Sequence, residues 1–129
     1  MSEAAREVAG GCFCGAIRYR ILGRPSAGIC YCGNCRKAVG AQSVVWVDSH
    51  RNAVDVLQGE PARHKASNEA VWSFCAHCGS TLFWEPADGS GMMAVTAGTL
   101  DDPAAFPPER TSSEEERLPW EPSFDKYGS

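Results

Sequence analysis

Nowhere among the 129 residues is there an apolar run approaching the roughly 20 residues that a membrane-spanning helix needs. The first seven residues, Met1 to Glu7, contain no apolar stretch of the kind that marks a secretory signal, so a cytoplasmic address is expected and no membrane partner. A basic surplus is missing too. Twelve Lys and Arg face sixteen Asp and Glu, a formal charge of -4, and the imbalance is uneven: residues 1–100 carry nine basic against eight acidic side chains, residues 101–129 three against eight. Without clustered basic side chains there is no footprint for nucleic acid, and none is expected as a partner. Helical periodicity is scarce, and apart from recurring cysteine pairs there is no internal repeat. What remains is an ordinary balance, 43% hydrophobic and 22% charged, in a length that fits one domain burying about two thirds of its unfolded surface.

Cysteine is what the chain has in quantity, and the seven divide as four plus three. Cys12-x-Cys14 and Cys75-x-x-Cys78 are two pairs that together can close a tetrahedral thiolate site, whereas Cys30-x-Cys32-x-x-Cys35 offers three ligands and leaves one coordination position for something else. Seven is odd, and C-x-C is too cramped for an unstrained disulfide, so in a reducing compartment the pattern reads as metal ligation. One zinc on the four would fasten two segments some sixty residues apart and contribute folding free energy directly. For the three, a second structural zinc completed by His50, His64 or His77 is one reading, and Cys30 or Cys35 as a lone nucleophile is another. A third is an open zinc: three thiolates leave the ion a weak acid toward water but receptive to a soft sulfur ligand, which suits a thiol substrate. Arg36, Lys37 and Arg63 are candidates for holding substrate carboxylates.

In chain order, residues 1–10 read as a flexible leader closed by Gly10-Gly11, residues 11–122 as the domain, and 123–129 as a tail. Ile17, Tyr19 and Ile21 alternate with polar neighbours in a half-buried strand, with Cys12 and Cys14 projecting to one side of an extended entrance. Asn34 is a fair N-cap for a helical turn through Val39, stopped by Gly40. Residues 43–47, 54–57, 63–67, 71–74, 80–84 and 92–97 read as further strands, and Cys75-Ala76-His77-Cys78-Gly79 as a zinc knuckle. Trp46, Trp72, Phe74, Phe83 and Trp84 are core or pocket wall. Beyond Gly98 come five of the eight prolines, so irregular chain wrapping the sheets is expected there, with Glu114-Glu115-Glu116 as a solvated face. The class is all-β.

These motifs together resemble the glutathione-dependent formaldehyde-activating enzyme family, also called the Gfa or centromere protein V domain. The resemblance is carried by Gly11-Cys12-Phe13-Cys14-Gly15-Ala16-Ile17-Arg18-Tyr19, by Cys30-Tyr31-Cys32-Gly33-Asn34-Cys35-Arg36-Lys37-Ala38-Val39-Gly40, by Cys75-Ala76-His77-Cys78-Gly79-Ser80-Thr81-Leu82, by Ala97-Gly98-Thr99-Leu100-Asp101-Asp102-Pro103 and by Leu118-Pro119-Trp120. It implies an Mss4-like β fold with two zinc ions per chain, the structural one on Cys12, Cys14, Cys75 and Cys78 and the catalytic one on Cys30, Cys32 and Cys35. It also implies carbon-sulfur lyase or synthase chemistry on a small thiol such as glutathione with formaldehyde or another aldehyde; the centromere branch suggests instead a non-catalytic zinc module. Two departures stand out: Tyr31 occupies a position where the family usually has His, and residues 109–117 replace the usual segment before the Pro-Trp pair.

Overall fold

Strands of four to seven residues, most of them with buried side chains, make up the architecture. The computed structural model describes residues 6–122, so residues 1–5 of the expected leader and the expected tail at 123–129 lie outside the described residues. Along the chain run β1 (Glu7–Gly11), β2 (Arg18–Leu22), β3 (Ser26–Cys30), a single α-helix α1 (Gly33–Val39), β4 (Val44–His50), β5 (Val54–Gln58), β6 (Ala62–Lys65), β7 (Val71–Phe74), β8 (Thr81–Glu85), β9 (Met92–Thr96) and β10 (Pro108–Ser112). They form a three-stranded sheet in the order β1-β2-β5 and a seven-stranded sheet in the order β10-β3-β4-β9-β8-β7-β6. The expected all-β class is the one observed.

The larger sheet is apolar on both faces, and the two faces do different things. Val47 and Val95, adjacent across β4 and β9, turn toward the smaller sheet and join Tyr19, Ile21, Leu82 and Phe83 in the main core. Tyr19 meets Phe83 edge to face with centroids 5.2 Å apart, and its hydroxyl bonds Thr99 Oγ1 at 2.7 Å, which satisfies the polar end of a buried ring. The alternate residues, Trp46 and Ala94, turn the other way and cluster with Val44 and Cys35, against which Trp72, Trp84 and Met92 pack. This second face carries the candidate site.

Two expectations are corrected. Residues 7–10 are not loose leader: they belong to β1, which pairs with β2 from Glu7↔Leu22 to Gly11↔Arg18. Gly10 is needed there because a Cβ would lie 2.7 Å from Thr99 O and collide with the Tyr19 hydroxyl. The proline-rich region also contains a strand, since β10 runs parallel to β3 with a register shift between Pro108 and Arg110. Its proline is the first residue and the strand is an edge, the two conditions under which a missing N–H and charged outer side chains do no harm to a sheet.

Candidate metal centres and the cavity beside one of them

The four-cysteine group is assembled from two tight turns. Cys12 to Gly15 is closed by Gly15 N–H donating to Cys12 O at 3.1 Å, and Cys75 to Gly79 by Gly79 N–H donating to Cys75 O at 2.7 Å. The first is therefore a turn before β2, not the extended entrance expected from C-x-C alternation, and Phe13 at its apex is 93% exposed. Cys12 Sγ lies 3.7 Å from Cys14 Sγ, and Cys14 Sγ lies 3.9 Å from Cys75 Sγ. Four thiolates around one tetrahedral ion at 2.3 Å would stand about 3.8 Å apart, so this set fits an ion of zinc's size. Hydrogen bonds support the sulfurs from outside: Ile17 N–H reaches Cys12 Sγ at 3.2 Å, and Ser80 Oγ stands 3.2 Å from Cys78 Sγ. The Ser80 hydroxyl and N–H hold Cys78 down at about 5. Against the lowering hydrogen bond of Ala16 N–H, desolvation and the neighbouring sulfurs push Cys14 up to about 11.

The three-cysteine group sits where β3 gives way to α1. Cys30 ends the strand, Cys32 caps the helix by accepting Cys35 N–H at 3.3 Å, and Cys35 lies buried in the first turn. Cys32 thus does the capping that Asn34 was expected to do, and Gly40 ends the helix in the left-handed conformation as expected, φ 75°. Cys35 donates to Cys30 Sγ at 3.4 Å. That hydrogen bond holds Cys30 down at about 5 against its burial, while the same contact, with burial, drives Cys35 well up. The proton that Cys35 holds against Cys30 is one that a cation binding both sulfurs displaces. Both cysteine groups can hold a metal ion, and among the described residues no imidazole or carboxylate stands with Cys30, Cys32 and Cys35. His50, His64 and His77 are all exposed, and His50 Nδ1 accepts Asn52 N–H at 3.1 Å.

The second group opens onto a cavity of about 460 Å³, within the usual size of small-molecule sites. Its wall combines the three cysteines with Trp46, Trp84 and Met92 from the central strands and with Arg110 to Ser113 from β10 and its end. The segment at 109–117 is thus a side of the cavity, and its acidic run is engaged with the site: Glu116 Oε1 accepts Gly33 N–H at 2.9 Å, and Glu114 Oε2 accepts the Thr111 hydroxyl at 3.1 Å. Tyr31 is fully buried and its N–H donates to Ser112 O at 3.2 Å, so it packs inward between Cys30 and Cys32.

The three cations singled out from the sequence stand elsewhere. Arg36 donates to Tyr31 O at 3.3 Å and Glu116 O at 3.4 Å, pinning the 109–117 segment to α1. Lys37 is exposed on the helix. Arg63 shares the buried carboxylate of Glu85 with Arg51, at 3.3 and 3.0 Å, beside a different groove. The cation that does line the cavity is Arg110, bonded to Asp48, to Ser26 Oγ at 2.9 Å and to Ala27 O at 3.3 Å. Gly28 was its faint sequence signal, because a Cβ there would press within 3.0 Å of the Arg110 side chain.

No curated protein matches this sequence. A Rhodobacter sphaeroides protein of known crystal structure is similar in fold, with a TM-score of 0.65 over 81% of this chain and 99% of that one, at 18% identity. That likeness concerns architecture alone. The model of the glutathione-dependent formaldehyde-activating enzyme family matches residues 7–115, the span that holds both cysteine groups and the lining residues of the cavity, and the chain belongs to that family.

Proposed function

We propose that the protein is a zinc-dependent enzyme of carbon-sulfur bond chemistry, adding a small thiol to formaldehyde or another aldehyde or cleaving such an adduct. The observation that carries this reading is the placing of Cys30, Cys32 and Cys35 in the wall of a cavity large enough for a small molecule. Cys12, Cys14, Cys75 and Cys78 hold a structural zinc in this reading, and Cys30, Cys32 and Cys35 the catalytic one. When bound there, zinc lowers the pKa of a substrate thiol and favours its reactive thiolate.

The chain's own residues do the rest. Cys35 N–H, donated to Cys32 Sγ, fixes the direction of that ligand. Trp46, Trp84 and Met92 exclude water and hold the two reactants together. In the forward direction the sulfur–carbon bond forms, the carbonyl π pair moves to oxygen, and the proton lost by the thiol ends on that oxygen; Ser112 and Ser113 present polar groups on that side of the cavity. Seven free cysteines suit a reducing compartment such as the cytoplasm.

The test is exchange NMR of labelled formaldehyde with a panel of thiols. Metal-loaded protein is expected to accelerate S-hydroxymethyl exchange at least about 100-fold over a Cys32→Ala control. Equal rates would overturn the enzymatic reading and leave a metal-binding module.

A further inference from the structure

We infer that the cavity selects a thiol whose body is uncharged and apolar, an aryl or alkyl thiol, over a peptide thiol bearing carboxylates; this rests on the reading above that a thiol and an aldehyde meet there. One side of the cavity is apolar and rigid. Ile29, Trp46, Trp84, Met92 and Ala94 line it, and Trp46 and Trp84 are both packed against Trp72, with ring centroids 5.9 and 6.3 Å apart. Their orientation is set by neighbours and does not depend on a ligand.

The polar side offers no surplus positive charge. Arg110 is the cation among the lining residues, and its guanidinium is committed to Asp48, which lines the same cavity, and to Ser26. Arg36, the next candidate, spends its hydrogen bonds on the carbonyls of Tyr31 and Glu116. Just beyond Ser113 the chain runs through Glu114, Glu115 and Glu116, and Glu116 is held against Gly33, the neighbour of Cys32. A carboxylate brought into this cavity loses its water, finds the guanidinium of Arg110, the basic side chain among the described lining residues, already paired, and meets carboxylates at the border. An apolar body instead covers the indoles and Met92, where burial favours it.

The test compares benzyl mercaptan with glutathione on the metal-loaded protein, both as substrates with formaldehyde and as ligands that alter tryptophan fluorescence. The benzyl thiol is expected to lead by about tenfold or more in kcat/KM and in affinity. Parity or a preference for glutathione on both readouts would overturn the inference while leaving the proposed reaction intact. If neither thiol is turned over, the reaction is refuted and the fluorescence comparison alone decides the selectivity. Asp48→Asn, which strips Arg110 of its carboxylate, should move the affinity ratio at least about fivefold toward glutathione. Trp84→Ala, at a partly exposed position, should erode the benzyl advantage from the other side. An unchanged ratio in folded samples of both variants would also overturn it.

Discussion

The two cysteine groups use the same ligand atom in opposite settings. Cys12, Cys14, Cys75 and Cys78 join the turn before β2 to the turn before β8, so an ion there clamps one sheet to the other. Cys30, Cys32 and Cys35 come from six consecutive residues around one strand end and one helical turn, so an ion there would tie together segments that the backbone already holds close. Loop closure is what makes a clamp stabilising, and a local site closes almost none. In the proposed reading this difference makes the first group the one the fold rests on and leaves the second free for chemistry.

The sharpest way to break that comparison is a pair of ligand substitutions. Cys75→Ser should cost at least about 5 kcal/mol, comparable to the whole stability of many domains, and abolish cooperative melting. Cys32→Ser should leave the melt nearly intact, remove one metal equivalent by mass spectrometry and abolish turnover. Equal unfolding of both would end the division of labour. The two faces of the large sheet give the next test. Leu82→Ala, in the fully buried core, should cost about 3 kcal/mol in urea denaturation. Trp84→Ala should cost less than that while lowering kcat/KM more.

Chelation sharpens the same contrast kinetically. A competing chelator should remove activity and one metal equivalent first, with the far-ultraviolet spectrum changing only when the second ion leaves. For acid, the sign follows from Cys78: its folded pKa of about 5 lies below the ordinary thiol value of 9.0. The stability tied to its thiolate is complete above pH 9.0 and is lost as the pH falls through about 5. Ser80→Ala should move the acid midpoint of a melting series upward. The smallest effect belongs to a contact in neither site: Arg18→Ala, which removes the exposed 2.5 Å pair with Asp101, should cost less than about 1 kcal/mol.

The sulfur partition could be read directly because ligand spacing is local: two ligands on one turn must be close in sequence, and the turn glycines advertise themselves. Strands such as β2 and β9 were equally plain, their alternation or apolar density being the imprint of a buried face. What could not be read was whatever depends on a distant neighbour. β10 hides behind Pro108 and charged side chains because an edge strand needs neither an apolar run nor every N–H. Arg36 and Lys37 were attractive for their adjacency to Cys35, but successive residues of a helix point to different sides, and Arg36 turns to the carbonyls of Tyr31 and Glu116. Arg110 and Asp48 meet only because β10 docks beside β3 and β4.

That docking has a consequence for biosynthesis. Arg110 is translated 84 residues after Ser26, its partner on β3, so at about 5–20 residues per second the ribosome leaves the thiols of the first-made cleft without their outer bank for on the order of ten seconds. Trp46, Trp84 and Met92 emerge in turn during that interval, so the cavity is built strand by strand around thiols that are already in place, and the side that β10 supplies is the last of its walls to be made.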